Sequence, residues 1–166
     1  MSIKQIIIAS LAGAMVLFLF DGAFQAIPNF GVRAVERIES NELTTPKFNE
    51  LTNQMAYITT NETVSFVATR PADFYNLPKF FAIEFFSAFA IATVLAILFA
   101  KIKHHSLKER LLLTISFASI ACLAIHIPYL NWWGFSFYYT SGVIVKTLGG
   151  WAFIAFIQNR YIFKIK

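Results

Sequence analysis

Long apolar stretches alternate with polar segments along this chain. A helix that crosses a bilayer needs roughly 20 mostly apolar residues. Four stretches come close to that length, at Ile6–Phe20, Phe80–Ala100, Leu111–Ile127 and Phe137–Ile157. The first is short, but it gains the missing length if its helix continues through Asp21 to Ile27. The pattern therefore predicts an all-α membrane protein with four transmembrane helices.

The composition agrees with this pattern. Hydrophobic residues make up 57% of the chain and charged residues 14%, and the mean hydropathy is +0.60. Soluble domains contain about 25% charged residues. The composition therefore excludes an ordinary soluble domain, and bilayer is the predicted environment of most of the chain.

The long polar segment after the first stretch divides the chain into three predicted parts. Residues 1–28 form the first transmembrane helix, residues 29–78 a small extracytoplasmic cap, and residues 79–166 the other three helices with a basic cytoplasmic loop at 101–110. The cap has few large apolar side chains, so we expect it to rest on the helices instead of folding alone.

The pattern within the cap favours a mixed α and β structure. Apolar residues at near-helical spacing predict a helix at Val32–Leu43. Pro46 suits the start of a second helix that runs to about Tyr57. The β-branched and aromatic run Thr63–Thr69 predicts an extended segment before Pro71.

The positions of Lys and Arg predict the orientation, because cytoplasmic loops carry the excess of these residues. The loop at 101–110 holds four basic residues and one acid, whereas residues 29–79 hold five basic residues and six acids. We therefore predict a multi-pass protein of the cell inner (plasma) membrane with both termini cytoplasmic. The net charge of +5 lies mostly at these cytoplasmic ends, which suits anionic lipid and does not indicate nucleic acid as a partner.

The first apolar stretch has a second interpretation. Lys4 and the apolar run after it resemble a secretory signal peptide, with Ala23–Ala26 as a weak cleavage site. The run is long for a signal peptide, and small residues such as Gly13 indicate a surface for helix packing. We therefore expect a retained transmembrane helix.

Ionisable residues inside the predicted helices are the main candidates for function, because charge at membrane depth is costly. Glu84, His126 and Lys146 lie in the second, third and fourth apolar stretches, and Asp21 directly follows the first. At a rise of about 1.5 Å per residue, Asp21, Glu84 and His126 fall in the outer half of the membrane, and Lys146 lies nearer the middle. These four residues are predicted to form a buried polar cluster below the cap.

Small residues recur every four positions beside these ionisable side chains. Residues four apart share one helix surface, and small side chains there let helices approach closely in lipid. The predicted packing seam consists of Ala88, Ala92, Ala96, Ala118, Cys122, Gly142 and Gly149. Glu84, His126 and Lys146 continue these rows and are therefore predicted to face protein. Phe85 and Phe86 are predicted to face lipid.

Three roles are open for the polar cluster. An ion pair between Glu84 and Lys146, with Asp21 and His126 hydrogen-bonded nearby, would fix the helix register and carry no activity. A small polar cavity that opens outward would serve a proton, an ion or a lipid headgroup. A third role is docking against another subunit.

Other chemistry has little support in the sequence. Cys122 is the single cysteine, which excludes an intramolecular disulfide and metal sites built on paired cysteines. Haem usually needs two axial ligands, and only His126 lies within a predicted helix. No catalytic triad order, zinc-protease motif, phosphate-binding loop or dinucleotide fingerprint occurs. We therefore predict no catalytic residue, no metal and no cofactor.

An aromatic turn is predicted between the third and fourth helices. Tyr and Trp collect at membrane–water interfaces, proline suits a helix end, and glycine permits a sharp reversal. The motif comprises Pro128, Tyr129, Asn131, Trp132, Gly134 and Phe135.

This turn resembles that of a family of small bacterial four-span inner-membrane proteins of unassigned function, in which it reads Pro-Tyr-x-Asn-Trp-x-Gly-Phe. Leu130, Trp133 and Ser136 depart from the fuller family pattern. The resemblance implies one helix before the extracytoplasmic segment and three after it. It implies no activity and no catalytic residue.

The leading functional hypothesis is a non-catalytic accessory or assembly subunit of a larger membrane complex, or a homo-oligomer, with membrane lipids as its other partners. It rests on the small size, the absent catalytic motifs and the seams suited to helix packing. The alternatives are a small carrier or channel for a proton, ion or solute at the polar cluster, and a membrane enzyme that acts on a lipid or a quinone.

Overall fold

Four long helices form most of the protein. The computed structural model describes residues 2–27, 55–59, 61–62, 64–68, 70–74, 76–102 and 104–164. The helices are α1 (Ile3–Gln25), α2 (Leu77–Lys101), α3 (Leu107–Trp133) and α4 (Phe137–Ile157). Each is long and apolar enough to cross a membrane. The four predicted transmembrane helices are therefore confirmed, and the chain is a multi-pass membrane protein.

Short polar side chains begin all four helices. The first backbone N–H groups of a helix lack partners within the helix, and an oxygen on the preceding side chain can accept from one of them. Ser2 and Ser106 do so in capping boxes at α1 and α3. Asn76 and Ser136 accept the equivalent bond at α2 and α4. The polar residues between the apolar stretches therefore set where each helix starts.

The helices form a bundle that is open along one side. α1 packs extensively on α2 and on α4, and α4 packs on α3. α2 and α3, both fully described, share no such extensive contact although the loop 102–106 joins them directly. We call the end with this loop and the N-terminus the loop end. The opposite end, at Gln25, Leu77, Trp133 and Phe137, is the strand end.

Small side chains hold the helices close together. Six of the seven predicted seam residues are buried, namely Ala88, Ala92, Ala96, Ala118, Cys122 and Gly142. The seventh, Gly149, is half-buried. One close approach is at Gly13 of α1, where an added methyl carbon would lie 2.8 Å from the β-carbon of Ala92. Such a separation is a clash, so only glycine fits at this position.

The third helix is longer than the sequence predicts. It continues through Pro128 to Trp133, so the prediction that Pro128 ends it is wrong. Proline removes one backbone donor, and a single lost bond near the end of a long helix does not stop it. The reversal comes at Gly134, which caps α3 with a positive φ of 68°. The predicted turn therefore begins later than Pro128.

Two short strands lie between α1 and α2 in sequence. β1 (Met55–Thr59) pairs antiparallel with β2 (Val64–Ala68). β2 confirms the central part of the predicted extended segment. The predicted helix ending near Tyr57 is wrong at Met55–Tyr57, because pairing with β2 supplies those backbone groups with partners in extended form. The predicted helix at Val32–Leu43 lies outside the described residues.

Candidate binding cavity

A cavity of about 220 Å³ lies among the four helices, toward the strand end. Its lining residues come from all four helices, namely Leu17, Asp21, Glu84, Ile91, Ala121, Ile125, His126, Lys146, Thr147 and Trp151. The four ionisable residues singled out from the sequence are all among them. We call this space the polar cavity.

An ion pair closes one side of the polar cavity. Lys146 Nζ lies 3.5 Å from Asp21 Oδ2, and the two side chains are 19% and 11% exposed. The sequence analysis paired Lys146 with Glu84 instead. The partner differs because α1, and not α2, packs on α4. An added methyl carbon at Gly150 would lie only 2.7 Å from Leu17 Cδ1, which shows how closely α1 and α4 approach there.

The second carboxylate oxygen of Asp21 is unsatisfied. Asp21 is 8% exposed, and its Oδ1 atom accepts no hydrogen bond from any described residue. The Glu84 carboxyl group interacts with Asp21 at close range. Two neighbouring carboxylates repel each other when both are ionised, so a proton or a cation between them is stabilising. The polar cavity therefore combines surplus negative charge with an unused acceptor.

Glu84 lies at the border of the polar cavity. Its side chain lines the cavity, yet the residue is also exposed on the bundle surface. The prediction that Glu84 faces only protein is therefore corrected, and the open side between α2 and α3 is the reason. Phe86 is 68% exposed as predicted. Phe85 was predicted to face lipid but packs edge-on against Phe18 of α1, with ring centroids 6.0 Å apart.

His126 completes the polar cavity from α3. Its ring is half-buried and lies edge-on to Tyr129, with centroids 6.3 Å apart. It is close enough to Lys146 to be affected by that positive charge. A neutral imidazole both donates and accepts hydrogen bonds. His126 therefore adds a donor and an acceptor to a cavity otherwise dominated by full charges.

An apolar groove of about 570 Å³ continues from the polar cavity along the open side of the bundle. It is lined by Ala90, Ile91, Val94, Leu95, Leu98, Phe117, Ile120, Ala121 and Trp151. Three of these residues, Ile91, Ala121 and Trp151, also line the polar cavity. The two spaces are therefore adjacent, one charged and one apolar.

The residues of the predicted aromatic turn lie at the strand end and not around the polar cavity. Tyr129 stacks on Trp133 with centroids 4.4 Å apart, and Phe135 lies edge-on to Tyr129 at 5.5 Å. Trp133 also stacks on Phe66 of β2 at 5.4 Å. Trp133 therefore connects α3 to the strand pair. Asn131 and Trp132 are exposed, and Pro128 is half-buried.

A second polar network at the loop end was missed by the sequence analysis. Arg110, expected in the basic loop at the surface, is fully buried. Its three guanidinium nitrogens donate to Asn159 Oδ1 at 2.8 Å, to the Ile102 carbonyl at 2.7 Å and to the His105 carbonyl at 3.1 Å. The guanidinium also lies over the Phe99 ring. The loop and the start of α3 are thereby fixed to the end of α4.

A π-helical turn at Gln158–Ile162 extends α4 and supplies the rest of this network. Gln158 is fully buried and donates from Nε2 to the carbonyls of Ala9 on α1 and Ala92 on α2, at 3.0 and 2.9 Å. The signal for it in the sequence is the Gln-Asn pair directly after the apolar run Phe137–Ile157. We call Arg110, Gln158 and Asn159 the loop-end network.

The loop-end network and the polar cavity differ in whether a charged group keeps an atom without a hydrogen-bond partner. All three guanidinium nitrogens of Arg110 have acceptors, and the one buried atom of this network without a partner among the described residues is the neutral amide oxygen Gln158 Oε1. The polar cavity instead keeps empty space and an unpaired carboxylate oxygen of Asp21. Among the described residues, no group of three or more His, Cys, Asp and Glu side chains is placed to hold a metal ion. The arrangement suits binding of a polar or cationic group.

No family model, curated protein or solved structure matches this chain.

Proposed function

We propose that this chain is a non-catalytic multi-pass membrane protein that binds a small polar molecule or a polar headgroup at the polar cavity. One observation carries the proposal: Asp21, Glu84, His126 and Lys146 come from four different helices and line one cavity. An ionisable residue at membrane depth lowers the stability of the fold, so its presence indicates a functional site by default.

A purely structural role accounts for only part of this arrangement. The pair between Asp21 and Lys146 fixes α1 against α4 without any ligand. Glu84 is not needed for that pair, and its carboxyl group adds a second negative charge beside Asp21. A second carboxylate beside Asp21 does not strengthen that pair. The extra carboxylate supports a site that receives a proton or a positively charged group.

The geometry favours binding over passage through the bundle. The polar cavity lies toward the strand end. On the other side, Gly13, Ala92 and Gln158 are in close contact, and Gln158 bonds to both α1 and α2. A carrier would have to separate these contacts to open toward the loop end. Purified protein in liposomes is therefore expected to show no flux of protons or small cations above that of empty liposomes.

The binding proposal is tested by identifying what remains with the purified protein. Extraction in mild detergent followed by native mass measurement should show a bound small molecule or lipid on the wild type. The double variant Asp21→Asn, Glu84→Gln should lose it, because both carboxylates are neutralised while the side-chain shapes are kept. Ser87→Ala, an exposed site on α2 outside the cavity lining, serves as the control. Equal retention by all three proteins would contradict the proposal.

A second candidate function is an accessory or assembly subunit of a larger membrane complex, or a homo-oligomer. It is supported by α3, which packs extensively on α4 alone among the described elements. Large apolar side chains of α3 remain exposed, including Leu112 at 64% and Leu123 at 64%. Native mass measurement of protein from its own membranes tests this candidate, and a strictly monomeric particle would count against it.

A further inference from the structure

We infer that the ligand of the polar cavity is an aminophospholipid, a lipid with a primary ammonium in its headgroup, and that one of its chains lies in the apolar groove. The inference rests on the proposed binding function and specifies its ligand. It follows from the charge, the unused acceptor, the adjoining groove and the depth of the site.

The charges around the polar cavity favour a positively charged group. Asp21 and Glu84 supply two carboxylates and Lys146 one ammonium, so a neutral His126 leaves surplus negative charge. Charge away from water is costly unless it is paired. The ammonium of an arriving headgroup would lie between the two carboxylates that otherwise repel each other, and its phosphate would lie toward Lys146.

The unused acceptor requires a donor and not only a charge. Asp21 Oδ1 is buried without a hydrogen-bond partner among the described residues, and leaving such an atom unpaired costs free energy. A primary ammonium carries three N–H donors. A quaternary ammonium carries the same charge but no N–H donor. The site is therefore expected to distinguish ethanolamine from choline headgroups.

The groove indicates that the ligand is a lipid and not a free amine. Its lining residues are all apolar, and Val94 and Ile120 on its two walls are 66% and 62% exposed. Ile91, Ala121 and Trp151 are shared by groove and cavity. A molecule that fills both spaces must combine a polar end with a long apolar chain. The bilayer supplies such molecules directly to the open side of the bundle.

The depth of the polar cavity fits a lipid headgroup region. Asp21 lies four residues before Gln25, where α1 ends, which corresponds to about 6 Å along the helix axis. Glu84 lies seven residues after Leu77, where α2 begins, or about 10 Å. Lys146 and His126 line the same cavity and offer donors to the phosphate that accompanies the ammonium in such a headgroup.

The test compares lipids that have the same acyl chains and differ only in the headgroup. Wild-type protein is stripped of lipid, placed in micelles with equal amounts of phosphatidylethanolamine, phosphatidylcholine and phosphatidylglycerol of the same chains, and examined by native mass spectrometry. The ethanolamine lipid is expected to be retained about tenfold more than the choline lipid, because only its headgroup donates to a buried carboxylate. Equal retention of these two lipids would overturn the inference without any variant being needed.

Two variants separate the headgroup from the chain. Asp21→Asn should bring ethanolamine and choline lipids toward parity, because it removes the buried carboxylate to which only the ethanolamine headgroup donates. Ala121→Phe should reduce retention of every lipid by filling the junction of groove and cavity, whereas Ala124→Phe on the exposed face of α3 should not. Lipid retention that is unchanged by Ala121→Phe would exclude the groove as the chain site.

Free ethanolamine distinguishes failure of the inference from failure of the proposed function. If no lipid is retained but ethanolamine binds the wild type and not the Glu84→Gln variant, the lipid assignment is wrong and the binding proposal stands. If neither lipid nor ethanolamine binds, and native mass measurement of the wild type shows no other retained molecule, both are wrong.

Discussion

Arg110 on α3 donates a hydrogen bond of 2.8 Å to Asn159, 49 residues further along the chain. Both side chains are fully buried. The bond joins the start of α3 to the turn that follows α4, and the same guanidinium holds the loop before α3 through two carbonyls. The loop end of the bundle is therefore built around a cation whose nitrogens all have acceptors, whereas the strand end keeps a cavity with one unpaired carboxylate oxygen.

Removing the acceptor of Arg110 should weaken the loop end. Asn159→Ala leaves one guanidinium nitrogen unpaired and also removes the bond from Asn159 Nδ2 to the Ala155 carbonyl. The unfolding free energy in mixed micelles is expected to fall by about 1–3 kcal/mol. Arg160→Ala, at the next and exposed position, should change it by less than about 0.5 kcal/mol. Similar losses in both variants would show that the buried bond has no special role.

The contact at Gly13 should be sensitive to a single methyl group. Gly13→Ala would place that carbon 2.8 Å from Ala92 Cβ and 2.9 Å from both Gln158 Nε2 and Ile154 Cγ2. Overpacking of this kind costs about 1–3 kcal/mol. Gly22→Ala on the same helix meets nothing within 4 Å and should gain up to about 1 kcal/mol from helix propensity. Opposite shifts in the two unfolding midpoints are expected, and a stable Gly13→Ala protein would contradict the close approach of α1 and α2.

The ion pair at the polar cavity should appear as a coupling energy. Lys146→Met leaves Asp21 without its cation, so this variant should be less stable than the double variant with Asp21→Asn. The coupling in the cycle is expected at about 0.5–3 kcal/mol. The same cycle with Glu84→Gln serves as the comparison, because the helix pattern alone paired Lys146 with Glu84. A larger coupling to Glu84 than to Asp21 would contradict the observed arrangement.

The predicted orientation can be tested by cysteine labelling, since Cys122 is the single cysteine and is buried. In a Cys122→Ala background, new cysteines at the exposed positions Ser65 and Ser136 should react with an impermeant maleimide on intact cells. Cysteines at the exposed positions His104 and Lys164 should react only after lysis. The reverse result would invert the orientation. Labelling of Ser136 and Lys164 from one side would contradict a membrane-spanning α4.

Much of the helical framework could be predicted from the order of residues alone. Bilayer thickness sets a minimum apolar length, so each long apolar run predicts one transmembrane helix. The helix α4 begins and ends at the predicted Phe137 and Ile157. Polar residues at the ends of the runs became caps. The same reasoning failed at Pro128, where one missing donor was outweighed by the remaining bonds of α3.

The choice of neighbours was decided only by the tertiary structure. A four-residue repeat shows which side chains share a face, but it does not show which helix that face meets. In lipid the acyl chains are as apolar as the side chains, so the interfaces are set by close packing of small residues and by polar contacts. Gly13 and Gly150 let α1 lie against both α2 and α4, and this places Asp21 beside Lys146.

The loop-end network and the groove followed from the same packing. In the sequence Arg110 has the pattern of a surface charge, but in the structure it donates to Asn159 and to two backbone carbonyls. The groove exists because α2 and α3 do not pack on each other, although a short loop connects them. The residue order determined how many long apolar helices the described part of the chain contains and which ionisable residues lie in them. The packing of small side chains in three dimensions decided which charges meet, because that choice depends on shape and not on hydrophobicity.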